Sequence, residues 1–82
     1  MLHIVCSLGG LGSCRPLVRD RDAVVFLGGV SAHAKKISSI PTYAIESDLK
    51  GGGNPASPEV VLIDYDEFVD LVAEHANSVT WT

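Results

Sequence analysis

Three observations predict an α/β fold with a mostly parallel sheet covered by helices. Ala23 to Leu27 (AVVFL) and Val60 to Ile63 (VVLI) are continuous apolar runs of strand length. Such runs suit strands buried on both faces, as in a parallel sheet lying between helices. Phe68, Leu71, Val72 and His75 recur at i, i+3, i+4 and i+7, which is one face of a helix. Strand-like and helix-like segments alternate four or five times along the chain, the order a parallel sheet with crossover helices produces. The expected architecture is one domain over residues 1–82, built as a three-layer sandwich.

The elements follow in order. Leu2 to Cys6 is short, apolar and rich in strand formers. Gly9 to Ser13 reads as a loop, since three glycines in the stretch LGGLGSCRP weigh against a helix. Pro16 to Arg21 has room for one or two helical turns, with Pro16 suited to the first helical position. Ala23 to Leu27 is a buried strand closed by Gly28 and Gly29. Val30 to Ile37 suits a short helix, with Lys35 and Lys36 favourable near its C-terminus. Thr42 to Ile45 is a third strand, and Gly51 to Pro55 (GGGNP) a flexible loop. Val60 to Ile63 is the fourth strand, Asp66 to Ala76 the best helix, and Ser78 to Trp81 a last short strand.

Composition narrows the function. A chain of 82 residues buries only about 60 % of its unfolded surface, so it is marginally stable alone. Yet 46 % of its residues are hydrophobic and mean hydropathy is +0.26. That surplus implies apolar surface at a subunit interface, hence an oligomer. With aromatic residues at 6 %, the core must be aliphatic. The net charge of −4 is the wrong sign for strong nucleic-acid binding, which needs clustered Lys and Arg. Any RNA served would be held by another subunit.

The two cysteines make no disulfide framework and no C-x-x-C pair. Met1 to Val5 carries no basic leader, and no run approaches the roughly 18 apolar residues of a membrane span. A reducing, cytoplasmic setting without membrane attachment is expected, with both thiols free. His3, His33 and His75 lie on separate elements without metal-ligand spacing, so neither a metal nor another cofactor is expected.

The glycine stretch admits three uses. As a dinucleotide fingerprint it is incomplete, because Arg15 occupies the third glycine position of Gly10-Leu11-Gly12-Ser13-Cys14-Arg15. As a thiol presenter it sets Cys14 just ahead of Pro16, at a helix N-terminus, beside the full charge of Arg15. Both would favour a nucleophilic thiolate. As a plain turn it leaves Cys14 without a role, and the local chemistry does not separate these last two uses. Cys6 continues a hydrophobic strand and is expected to be buried and inert. Asp64 and Glu67 have capping-box spacing, which favours helix initiation over acid/base catalysis.

Taken together, MLHIV (Met1 to Val5), DAVVFLGGVSA (Asp22 to Ala32), YAIESDLKGGG (Tyr43 to Gly53) and VVLIDYDEFVDLV (Val60 to Val72), with the near-terminal Trp81, resemble the TusB/DsrH family. The segments cover most of the chain, in family order. The resemblance implies a cytoplasmic subunit with a DsrE/F/H-like fold, assembled with TusC/DsrF-like and TusD/DsrE-like chains in a sulfur-relay complex. A homo-oligomer is the variant assembly. Such a complex passes persulfide sulfur toward 2-thiolation of the tRNA wobble uridine, or serves dissimilatory sulfur oxidation in a second branch. The principal sulfur-accepting cysteine belongs to the DsrE/TusD-like chain. DsrH-like members carry a cysteine between the first two strands, and Cys14 matches it. Cys14 is thereby a candidate sulfur acceptor and Arg15 its candidate activator. The alternatives are a non-catalytic structural subunit and a small-ligand-binding module. Gly28 and Gly52 stand where the family usually has an acidic residue and, nearby, an arginine.

Overall fold

The computed structural model describes residues 1–37, 39–49 and 59–82. The expected glycine loop at Gly51 to Pro55 lies outside them. The described chain runs β1 (Leu2–Val5), α1 (Leu8–Cys14), β2 (Ala23–Phe26), β3 (Thr42–Ile45), β4 (Val61–Ile63), α2 (Tyr65–Glu74) and β5 (Ser78–Trp81). Single 3₁₀ segments occupy Arg15–Leu17, Gly28–His33 and Glu46–Asp48.

All five strands are parallel, in the order β4-β3-β2-β1-β5. The chain steps outward from β1 to β4 and then returns across the whole sheet to β5. Right-handed crossovers place steps in one direction on one face and the return on the other. The packing follows this rule. Leu11, Cys14, Val30 and Ala34 from the outward connections cover Val5, Val24, Phe26 and Ala44. Phe68, Leu71 and Val72 of α2 cover Leu2, Ile4, Val25, Ile45 and Ile63 on the opposite face. Successive strand residues alternate between these faces, because the side-chain period of a strand is two.

Strands β1 and β2 are buried along their full length, as continuous apolar runs suggest. Phe26, Leu2 and Val25 are completely enclosed. Each such side chain contributes about 1.5–3 kcal/mol through removal of apolar surface from water. The edge strands β4 and β5 are only half-covered, and Val61 is 53 % exposed.

Two local expectations are corrected, and a third holds in part. Gly9 to Ser13 is helix, not loop. Ser7 caps it, its hydroxyl accepting from the Gly10 amide at 2.9 Å, and Gly10, Leu11 and Cys14 form one buried stripe. Tertiary burial and a good cap outweigh the glycine penalty of about 1 kcal/mol per residue. The segment expected to hold one or two helical turns holds one, a 3₁₀ turn at Arg15–Leu17 with Pro16 in its first positions. The helix expected over Val30 to Ile37 is a six-residue 3₁₀ segment at Gly28–His33. It begins with Gly28 at φ +70°, a left-handed conformation in which a side chain would be strained.

The capping box of α2 forms as its spacing predicts. Asp64 Oδ1 accepts from the Glu67 amide at 2.7 Å, and Glu67 Oε1 accepts from the Asp64 amide at 3.2 Å. Among the described residues, no helix is long and apolar enough to cross a membrane.

Candidate functional site

In an open parallel sheet, ligands favour the crevice where connections from neighbouring strands leave for opposite faces. Here the strand order reverses between β1 and β5, and α1 leaves the C-terminal end of β1 at that place. Cys6 follows β1 there, and its amide donates to the Trp81 carbonyl at 2.9 Å. The crevice is closed by backbone. A Cβ on Gly10 would lie 2.5 Å from the Trp81 carbonyl oxygen, a distance real Cβ atoms do not reach. Only glycine lets α1 sit against β5 at this place. Within the LGGLGSCRP stretch, the glycine that packing requires is Gly10. A Cβ on Gly12 would meet nothing within 4 Å.

Both thiols depart from their expected environments. Cys14 ends α1 and is 0 % exposed, facing Val5, Val24 and Phe26 in the core. Burial pushes its thiol pKa up, and the nearby negative charge of Asp22 pushes it further. A lowered pKa was expected from a helix N-terminus and from Arg15. Cys14 instead stands at the C-terminal end of α1, where the dipole opposes a thiolate. Arg15 is exposed and turned into the following 3₁₀ turn. Cys6, expected to be fully enclosed, is half-buried and packs at the margin of the α2-side core. Both thiols are free, as expected.

The main polar feature of the interior is one that sequence reasoning did not single out. The His3 imidazole, 2 % exposed, lies 2.8 Å from Asp22 Oδ2 through its Nε2. The Trp81 indole N–H donates to His3 Nδ1 at 3.1 Å. An indole nitrogen only donates, so Nδ1 accepts, and the ring proton sits on Nε2 facing Asp22. The two rings stack at 6.2 Å with 23° between their planes. Asp22 also accepts from the Met1 ammonium at 3.0 Å and from the Arg19 amide at 3.0 Å. Burial raises the Asp22 pKa, but these donors outweigh it and bring the group down to about 2. The available signals were a lone histidine within an apolar strand and an aspartate directly before AVVFL. Neither reveals the contact: His3 pairs with Val24, and its ring reaches Asp22, two residues earlier and just ahead of β2.

A second polar link ties the opposite end of the sheet. Asp48 Oδ2 accepts from the Gly28 amide at 2.7 Å and from the Tyr65 hydroxyl at 2.8 Å. It therefore joins the segments that follow β2, β3 and β4. The hydrogen bond to Asp48, with minor help from its charge, raises the Tyr65 phenol pKa. His75 Nδ1 lies 2.8 Å from the Leu71 carbonyl near the end of α2, consistent with its expected place there. His33 is exposed. Among the described residues, no three His, Cys, Asp or Glu side chains gather as metal ligands.

Known proteins are similar to this chain over most of its length. A family model described as DsrH like protein matches residues 8–78. Protein TusB of Pectobacterium carotovorum subsp. carotovorum (strain PC1) is 36 % identical over 78 residues, which is 90 % of this chain and 82 % of that protein. Protein TusB of Pectobacterium atrosepticum is 33 % identical over 72 residues, covering 85 % of this chain and 76 % of that protein. Protein TusB of Salmonella arizonae is 32 % identical over the same length and shares.

Proposed function

The chain belongs to the DsrH-like protein family, and we propose from that premise that it is a subunit of a sulfur-relay complex. Its partners in this reading are TusC/DsrF-like and TusD/DsrE-like chains in the cytoplasm. The complex delivers persulfide sulfur toward 2-thiolation of the wobble uridine of tRNA. In each transfer a thiolate attacks the outer sulfur of a persulfide, a new S–S bond forms, and the donor leaves as a thiolate.

Within that complex, this chain scaffolds and a partner carries the sulfur. The observation that carries this assignment is the burial of Cys14 in the α1-side core, with its pKa raised. A carrier thiol needs exposure and a sizeable thiolate fraction. The acidic net charge of −4 supports leaving RNA to a partner. The half-covered edge strands β4 and β5 offer backbone groups that partner chains can pair with.

The test uses the co-purified complex of this chain with its DsrE-like and DsrF-like partners. The complex is treated with a persulfide donor, and each chain is weighed intact, wild type beside Cys14→Ala. The expected result is reducible sulfur on the DsrE-like chain, none on this chain, and equal loading in both complexes. Sulfur on Cys14 that diminishes in Arg15→Gln would replace the scaffold reading with the carrier one. Restored tRNA 2-thiolation in a bacterium lacking its own subunit would support the pathway. Failure to restore it, with the complex intact, would count against that pathway.

A further inference from the structure

A groove of about 440 Å³ opens on the α1 side of the sheet, beside the β1–β5 pair. Its walls are Met1, His3, Leu17, Arg19, Val79 and Trp81, with Asp22 at its base. The volume is within the range of small-molecule sites, which are mostly apolar and carry a few fixed polar groups. Both of those requirements are met here.

The apolar part is Leu17, Val79 and the Trp81 indole. Val79 lies beside His3 in the strand register. The indole is fixed by hydrogen bonds in series, from Trp81 to His3 and from His3 to Asp22. Asp22 is itself held by the Arg19 amide. A platform held in this way needs little ordering when a ring is laid on it.

The polar part is Arg19. Its amide serves Asp22, but its guanidinium makes no hydrogen bond or ion pair among the described residues. The Asp22 carboxylate is already matched by the Met1 ammonium at 3.0 Å. The remaining charge lining the groove is therefore positive. A guanidinium favours planar anionic groups, which it binds through two parallel N–H donors.

We propose that this groove binds a small aromatic carboxylate, its ring against the Trp81 indole and its carboxylate on the Arg19 guanidinium. Neither thiol lines the groove, and the proposal does not depend on the sulfur-relay reading.

Phenylacetate is a suitable probe, with the isosteric but neutral phenylacetamide as control. Trp81 is the single tryptophan, so its emission reports the groove directly. Amide shifts of His3, Val79 and Trp81 locate the binding. Phenylacetate is expected to bind saturably at roughly millimolar concentration, and the amide roughly tenfold more weakly, for loss of one charge-assisted contact. Arg19→Gln keeps the backbone amide that serves Asp22 and should fold normally. In it the acid should weaken by roughly tenfold and lose its advantage over the amide. The proposal is overturned by an absence of saturable change, by equal binding of acid and amide, or by an unaltered Arg19→Gln. It is also overturned if the same amides move with protein concentration alone, which would make the groove a contact between copies.

Discussion

Gly10 and Trp81 meet so closely that no side chain fits between them: a Cβ on Gly10 would lie 2.5 Å from the Trp81 carbonyl oxygen. This contact locks α1 against β5 and fixes the depth at which the helix sits on the sheet. A matched pair of substitutions tests it. Gly10→Ala should destabilise the fold by about 1–3 kcal/mol, because helix or strand must shift to admit the methyl group. Gly12→Ala, in the same helix and facing open space, should stabilise by about 0.5–1 kcal/mol. Urea denaturation of both variants checks the opposite signs.

The His3–Trp81 hydrogen bond makes a second prediction. Trp81→Phe keeps most of the ring but leaves Nδ1 of a buried imidazole without its donor. The cost should be about 1–3 kcal/mol, that of an unsatisfied buried polar group. Long-range nitrogen–proton correlation spectra should place the wild-type His3 ring proton on Nε2. A ring proton on Nδ1 would contradict the hydrogen-bond order.

Asp22 gives the fold an acid-sensitive component. Its folded pKa of about 2 is below the ordinary 3.8. The group therefore stabilises the fold fully above pH 3.8, and this contribution fades as pH falls toward 2. The difference corresponds to about 2 kcal/mol. Wild type should lose stability across that window, whereas Asp22→Asn should start lower and change less. Denaturation midpoints at a series of acidic pH values measure both.

Tyr65 titrates above the ordinary phenol value of 10, because its hydroxyl donates to Asp48. Removing the carboxylate charge should reverse the shift. In Asp48→Asn the Tyr65 phenolate should form at lower pH than in wild type. Phenolate absorbance, with Tyr65→Phe to assign the signal, follows the change.

Much of the fold was legible in the residues, for physical reasons that differ between elements. The continuous apolar run around Val25 left no polar face, so cover on both sides was required there, whereas the similar run around Leu62 forms an edge strand that is only half-covered. The α2 stripe of Phe68, Leu71 and Val72 announced one covering helix, and Asp64 with Glu67 announced its start. α1 was hidden because three glycines within Leu8–Cys14 argue against helix in isolation. Its formation depends on a packing contact with Trp81, far along the chain. That misreading carried over to Cys14. A loop residue before Pro16 would present its thiol, whereas the last residue of a buried helical stripe lies in the core with Phe26. The His3–Asp22–Trp81 chain was hidden for a related reason. Its members are single polar or aromatic residues on β1, on β5 and just ahead of β2, and only the folded sheet brings them together.

The most direct test of a scaffold role for this chain is native-state alkylation of its two thiols. The reduced protein is exposed briefly to iodoacetamide at neutral pH, quenched, and mapped by peptide mass. Cys6, half-buried, should be modified first, and Cys14 only at the rate of local or global unfolding. Rapid modification of Cys14 in the folded protein, ahead of Cys6, would contradict its place in the core and return it to the role of a presented sulfur acceptor.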